Sequence, residues 1–170
     1  MRFKKKLRIK TMKTIIYLKG DATNPQSEGN NIIAHICNDI GSWGKGFVLA
    51  ISNRWKEPEN KYRKWFQDAE NFYLGEIQTI QIEENLWVCN MIGQHKIKTN
   101  SKGIPPIRYE AVEKCLEKLS NEALKLNAGV HMPRIGCGLA GGKWEEVEPI
   151  IERTLLKNNV EVFVYDFNNE

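Results

Sequence analysis

Two glycine-rich segments carry the residue types and spacing for ligand chemistry. The first, Gly41-Ser42-Trp43-Gly44-Lys45-Gly46, follows the apolar run Ile32-Ile33-Ala34-His35-Ile36-Cys37. The second, Gly136-Cys137-Gly138-Leu139-Ala140-Gly141-Gly142, follows Val130-His131-Met132-Pro133-Arg134-Ile135. Each runs on into a segment with helical spacing of its apolar residues. A strand, a bare loop and a helix N-terminus in succession offer unpaired N–H groups to an anion. One such unit is a weak signal. Two in a short chain predict a diphosphate or sugar phosphate held from both sides of one cleft.

Single side chains extend that expectation, each with a plainer alternative. Asp21, in Gly20-Asp21-Ala22-Thr23, can accept from an amine edge such as adenine N6, or it can shape a turn. Asn38 can donate and accept toward a ribose, or close the turn. Trp43 can wall a sugar pocket or pack under the loop. Lys45 supplies a cation or a solvated surface. Phe167 can stack on a flat base or seal a core edge. His35 is a general base only if a reacting water comes within hydrogen-bond reach, and otherwise a satisfied core histidine. It lies three residues before Asn38, so an ideal strand puts the two on opposite faces. A bulge or an early strand end would bring both to the cleft. Cys137 reads as a small residue near a ligand. His35, His95 and His131 lack metal-ligand spacing, and the chain has neither a GxSxG elbow nor a Walker loop. No metal and no cofactor are expected.

The elements that must position these groups follow from apolar periodicity. Strands are expected at about 13–19 and 31–37. A helix at 45–55 follows, with Phe47, Val48, Ile51 and Trp55 on one face. Pro58 opens a second helix with Tyr62, Trp65 and Phe66 as its apolar side. Strands at 75–82 and 86–92 flank a turn at Glu84-Asn85, and 96–106 reads as a polar loop. A helix at 108–127 shows Val112, Cys115, Leu116, Leu119, Ala123 and Leu124. A strand at 129–135, a helix at 143–157 burying Trp144, Val147, Ile151 and Leu155, and a strand at 160–167 complete the order. Glu145, Glu146 and Glu148 suit that last helix's N-terminal dipole. The order β-β-α-α-β-β-α-β-α-β predicts an α/β sheet that is partly antiparallel. Ligands of such sheets lie beyond the strand carboxyl ends.

A chain of 170 residues with 41% hydrophobic and 27% charged residues fits one soluble globular domain. The net charge of +4 is concentrated in Arg2, Lys4, Lys5, Lys6, Arg8 and Lys10. The rest is slightly acidic, so charge does not make the domain a nucleic-acid binder. Residues 1–12 are expected to be a disordered basic extension or to precede a true start at Met12. Contact of that tail with nucleic acid or membrane is the weaker reading. Cys37, Cys89 and Cys115 read as buried small hydrophobes. No apolar run reaches membrane length, no secretory signal is evident, and a reducing cytoplasm fits.

Together these segments resemble a macrodomain, the ADP-ribose-binding α/β/α fold, from about Lys13 to Phe167. Gly20-Asp21 resembles the family's adenine-reading turn. Ile33-Ala34-His35-Ile36-Cys37-Asn38 through Gly46 resembles its first phosphate and distal-ribose loop. Met132-Pro133-Arg134-Ile135-Gly136-Cys137-Gly138-Leu139, with Trp144-Glu145, resembles its second. Val164-Tyr165-Asp166-Phe167 resembles its ending, where an aromatic lies by the adenine. The resemblance implies a three-layer α/β/α macrodomain with a mixed central sheet over residues 13–170. It implies ligand contacts from Asp21, Ala22, Gly41, Ser42, Trp43, Gly44, Lys45, Gly46, Phe47, Ile135, Gly136, Cys137, Gly138, Leu139, Ala140, Gly141 and Phe167. His35-x-Cys37-Asn38-x-x-Gly41-Ser42-Trp43-Gly44 matches the ADP-ribose 1″-phosphate phosphatase type, which makes His35 and Asn38 the catalytic candidates. The terminal glycohydrolase type uses a lysine after the first loop and an aspartate in the second. Here Val48 to Asn53 has no lysine, and Ala140 stands at the aspartate position. MacroD-type hydrolases place an acid where Val48 lies. The expected partner is ADP-ribose or a derivative, free or on protein or nucleic acid, with no membrane and a monomeric chain. The activity is hydrolysis of that derivative, or binding without turnover.

Overall fold

The computed structural model describes residues 13–167. The expected basic extension at 1–12 lies outside the described residues. The strands are β1 (Ile16–Lys19), β2 (Asn30–Asn38), β3 (Ile77–Glu83), β4 (Leu86–Gln94), β5 (Ala128–Met132) and β6 (Val162–Asp166). The helices are α1 (Phe47–Arg54), α2 (Glu57–Asp68), α3 (Tyr109–Leu126) and α4 (Trp144–Thr154), and a 3-10 turn covers Leu156–Asn158. The element order is as the periodicity predicts, apart from that turn. Three boundaries contract. The first strand begins at Ile16, the fifth ends at Met132, and the last helix stops at Thr154.

One sheet runs in the order β1-β6-β5-β2-β4-β3. All pairs are parallel except β3 with β4. The β3–β4 exception is the short hairpin that Glu84-Asn85 predicts. Alternate residues of the parallel strands feed two separate cores, because side chains alternate across a strand. Ile32, Ala34, Cys89, Met91, Val130, Met132, Val162 and Val164 pack with α3 and α4. Ile33, Cys37 and Val88 pack with Trp43, Ile51 and Tyr62 on the α1–α2 side. This gives three layers. A sheet buried on both faces explains the continuous apolar run of β2. Each fully buried aliphatic side chain of α3, such as Leu116 or Leu119, contributes about 1.5–3 kcal/mol of hydrophobic stabilisation.

On the α1–α2 side, Phe47 at the start of α1 packs against the cluster that Phe163 and Tyr165 of β6 form. The segment between β1 and β2 shares in covering that area, with Ala22 packed on Phe163 and Tyr165. Phe66 departs from the expected burial and is 42% exposed, though its ring still meets Phe72 edge-to-face at 5.3 Å. Cys37, Cys89 and Cys115 are buried and unpaired. Among the described residues, no helix is long and apolar enough to cross a membrane.

Candidate functional site

Both glycine loops leave the carboxyl ends of neighbouring strands, β2 and β5. They face each other across one groove of about 280 Å³. Lys45, Gly46, Phe47 and Val48 form one wall, and Pro133 to Gly136 with Gly138, Leu139 and Ala140 form the other. Ile36 and Gln94 also line it, with His35 at its base. A second cavity of about 350 Å³ continues past Lys45 and Leu139. Cys37, Asn38, Ser42, Gly44, Ile97 and Lys98 line that extension. Among these lining residues there is neither Asp nor Glu.

The loops expose N–H groups because their carbonyls are taken up elsewhere. In the first loop, Arg63 of α2 donates to the carbonyls of Gly41 (3.4 Å) and Trp43 (3.2 Å). Asn38 Nδ2 donates to the carbonyl of Ser42 at 2.7 Å. In the second loop, Gly142 N–H donates to Gly136 O, Gly141 N–H to Gly138 O, and Ile107 N–H to Ala140 O. Among the described residues, no protein acceptor meets the N–H groups of Gly44, Lys45, Gly46, Gly138, Leu139 or Ala140. Gly46 is also the N-cap of α1, with φ 82° and no capping side chain. The positive end of the helix is therefore added to the same edge. Gly44, Lys45, Gly46, Gly138 and Leu139 are exposed and Ala140 is buried. Their N–H groups form two opposed rows suited to a diphosphate.

The glycines divide into two kinds. A Cβ on Gly44 or Gly138 would meet nothing within 4 Å, so both positions are open to a ligand. A Cβ on Gly41 would lie 2.3 Å from the Phe66 ring, and one on Gly136 would lie 2.5 Å from Ile107 Cδ1. Gly141 and Gly142 are similarly closed by Pro105 and by Gly136 O. Those four glycines shape the loops rather than clear space for a ligand.

Asn38 belongs to both the loop and the extension. Its Oδ1 accepts from Ile40 N–H (3.1 Å), Ser42 N–H (3.0 Å) and the Tyr62 hydroxyl (2.9 Å). The second Nδ2 hydrogen has no protein partner among the described residues. The parity argument against pairing His35 with Asn38 fails: Asn38 bonds Tyr62, His35 packs on Trp43, and Trp43 and Tyr62 pack together on one face of the sheet. The register shift past Cys37 puts its extra residue, Gly93, on β4. His35 itself is 1% exposed. Its Nε2 lies 2.5 Å from Asn90 Oδ1, and Asn90 Nδ2 donates to Pro58 O and Gln78 Oε1. A carbonyl oxygen only accepts, so Nε2 carries the hydrogen and Nδ1 is the bare nitrogen. Burial lowers the imidazole pKa to about 4, against a smaller opposing effect of the Asn90 hydrogen bond. The ring is neutral near pH 7.

Trp43 packs under the loop. It is buried, donates to Ser52 Oγ at 2.8 Å, and sits edge-on to His35. Its side chain lines neither cavity. Cys137 is half-buried, and burial raises its thiol pKa against the lowering effect of Arg134. It is therefore not an activated nucleophile.

Asp21, Ala22 and Phe167 stand apart from the lining of the groove. Thr23 N–H and O–H donate to Asp21 Oδ1 at 2.8 and 2.7 Å. Arg54, at the end of α1, donates to Thr23 Oγ1 at 2.8 Å and lies 3.6 Å from Asp21 Oδ2. The turn reading of Asp21 is thus met through Oδ1, while Oδ2 faces only the longer Arg54 contact. Phe47 links this region to the groove, since it packs beside Ala22 and lines the first wall. Phe167 is 71% exposed.

Arg134 lines the groove and is not singled out by its sequence pattern. It donates twice to Asp166, at 2.6 and 3.0 Å. Its guanidinium lies 5.2 Å from the Tyr17 ring and 5.1 Å from that of Trp144. The fork geometry and two aromatic faces hold a cation at the mouth of the groove. Arg134 holds the Asp166 carboxyl below its usual pKa. The adjacent Pro133 and the following glycine loop were the available signal. Its partners come from separate elements and left none.

No protein-family model matches the chain. It is 40% identical over 156 residues to the ADP-ribose glycohydrolase OARD1 of Bos taurus, covering 89% of this chain and 90% of that protein. It is 30% identical over 163 residues to the mouse chromodomain-helicase-DNA-binding protein 1-like, of whose length it spans 18%. An ADP-ribose 1″-phosphate phosphatase of Candida albicans is 26% identical, with 81% of this chain and 92% of that protein covered. Among solved structures, a macrodomain protein from Streptomyces coelicolor is 49% identical with a TM-score of 0.82, covering 91% of this chain and all of that one. A protein of unknown function from Bacteroides thetaiotaomicron is 56% identical with a TM-score of 0.89, covering 90% and 98%. Thermosipho africanus DarTG, solved in complex with ADP-ribose, shares the fold at 19% identity, a TM-score of 0.66 and coverage of 82% and 38%.

Proposed function

From the premise that this chain belongs to the macrodomain family, as its identity to full-length relatives shows, we propose that it binds ADP-ribose and hydrolyses an ADP-ribose derivative in the groove between its two glycine loops. The observation that carries this reading is the pair of opposed N–H rows at 44–46 and 138–140. They match a diphosphate in charge, and Arg134 adds a cation at one end. Asp21 recognises the adenine amine and Phe167 stacks on its face. The distal ribose extends toward Asn38, whose remaining Nδ2 hydrogen is available to a ribose hydroxyl. The group attached to that ribose then occupies the cavity bounded by Lys45, Ile97 and Lys98.

The named activities of relatives, a phosphatase and a glycohydrolase, support a hydrolytic role. His35 is the proposed base. Cys37 Sγ lies 3.9 Å from the bare Nδ1 and 3.8 Å from Nε2, and a water must reach Nδ1 before it can take a proton. The loop N–H groups stabilise negative charge developing on phosphoryl oxygens without reorganising.

A binding module without turnover is the second reading. It is favoured by the burial of His35 and by the lack of an acid among the lining residues. The separating experiment measures phosphate release from ADP-ribose 1″-phosphate and ADP-ribose release from ADP-ribosyl adducts. Turnover that disappears in His35→Gln while ADP-ribose still binds supports the hydrolase. Binding with no turnover of any substrate in the wild type supports the module. Absence of ADP-ribose binding in the wild type refutes both.

A further inference from the structure

The mechanism leaves one buried polar network unused, and it lies beneath the turn assigned to the adenine. His131 of β5 is fully buried and stacks on Phe163 of β6, with ring centroids 4.5 Å apart. Its Nε2 lies 2.6 Å from Asn31 Oδ1, and its Nδ1 lies 2.8 Å from the Tyr165 hydroxyl. Asn31 Nδ2 donates to the carbonyls of Ser27 (3.0 Å) and Gly29 (3.3 Å), which fixes the amide orientation. Asn31 Oδ1 is therefore an acceptor, and it also receives the Ser27 hydroxyl at 2.8 Å.

The proton order follows. His131 Nε2 must carry the hydrogen, so Nδ1 accepts from the Tyr165 O–H. The Tyr165 oxygen in turn accepts the backbone N–H of Gln26 at 3.1 Å. The Ser27 hydroxyl, 3.2 Å from Nε2, gives its hydrogen to Asn31 Oδ1 and only accepts from the ring, and the chain of donors ends on the main chain of the segment between β1 and β2. Gly20 N–H joins that segment to Asp166 O at 2.9 Å. The stretch that presents Asp21 and Ala22 is thus tied down at Gly20 by β6 and at Gln26 by Tyr165.

We infer that Tyr165 and His131 are positioning residues for adenine recognition, holding the 20–26 turn in place through this one-directional relay. The inference rests on the reading of Asp21 as the adenine contact. Neither side chain touches the ligand. Their action passes through the main chain of Gln26 to the Asp21 carboxylate and the Ala22 backbone.

Tyr165→Phe tests this, because it keeps the buried ring and removes only the hydroxyl. Calorimetric affinities are compared for ADP-ribose, AMP and inorganic pyrophosphate. The variant is expected to lose about fivefold in affinity for AMP and ADP-ribose, the value of one ordinary hydrogen bond. Pyrophosphate affinity is expected to stay unchanged. A loss of stability alone would not shift that ratio. An unchanged ratio overturns the inference and leaves the proposed ligand intact. A wild-type protein that binds pyrophosphate but neither adenosine ligand overturns the Asp21 reading as well. Nitrogen-15 spectra of the wild-type His131 ring give an independent check. A hydrogen on Nε2 and a bare Nδ1 are expected, and the reverse tautomer overturns the relay.

Discussion

Replacing Gly44 with valine is expected to abolish ligand binding without unfolding the domain. A Cβ at this position meets nothing within 4 Å, and the backbone lies outside the left-handed region that disfavours side chains. The folded protein should therefore tolerate the change within about 0.5 kcal/mol, the usual range for an unconstrained surface position. That corresponds to a melting shift of about 1–2 °C for a domain of this size. The isopropyl group would occupy the space in front of the Gly44 and Lys45 N–H groups. Loss of two hydrogen bonds to a charged diphosphate, at about 1.5–3 kcal/mol each, weakens binding by a hundredfold or more. Gly136→Val provides the opposite case. Its Cβ would lie 2.5 Å from Ile107 Cδ1 on a backbone with φ 71°. Overpacking and left-handed strain should together cost about 2–5 kcal/mol of stability. Calorimetric titration with ADP-ribose and thermal melts of both variants measure the two effects. Wild-type affinity in Gly44→Val would refute the placement of the diphosphate against the first loop. A large melting shift in the same variant would refute the division of the glycines into two kinds.

Two further outcomes follow from the buried and half-buried polar groups. Asp21→Ala should weaken ADP-ribose binding by about 1–3 kcal/mol, measured by calorimetry, and unchanged affinity would remove Asp21 from the adenine contact. Stability should also fall on acidification from pH 6.5 toward 4. Burial lowers the pKa of both His35 and His131 from 6.5 to about 4, so the unfolded chain takes up protons in that window and the folded chain does not. The stabilisation is complete above pH 6.5 and falls by about 1.4 kcal/mol per pH unit for each histidine as the pH drops. Urea midpoints at pH 7 and pH 4.5 report this, and equal midpoints would show that these rings are not held neutral.

The element order and the two loops were legible because their signals are local. Glycine clusters after apolar runs, and apolar residues three and four apart, need no knowledge of distant partners. The turn at Glu84-Asn85 and a partly antiparallel sheet are likewise readable, and the structure places the antiparallel step at that turn. What each loop residue does was less accessible. Gly41 and Gly44 are equivalent in sequence, yet one faces the Phe66 ring and the other faces open space. That difference depends on where α2 places a side chain 25 residues on. Trp43 is turned inward by Ser52, and Arg134 is fixed by Asp166, Tyr17 and Trp144. These are tertiary contacts between separate elements. Strand parity separates His35 from Asn38, yet Tyr62 and Trp43 hold both on one face at the strand's end. The 96–106 segment read only as a polar loop, although Ile97 and Lys98 wall the outer cavity.

Amide spectra recorded during an ADP-ribose titration test the central claim most directly. The account predicts saturable shifts that appear together, with one dissociation constant, at Gly44, Lys45 and Gly46 and at Gly138, Leu139 and Ala140, while Gly29 and Gly103 stay still. Shifts confined to a single loop, or no saturable change at either, would contradict a diphosphate held between two main-chain rows.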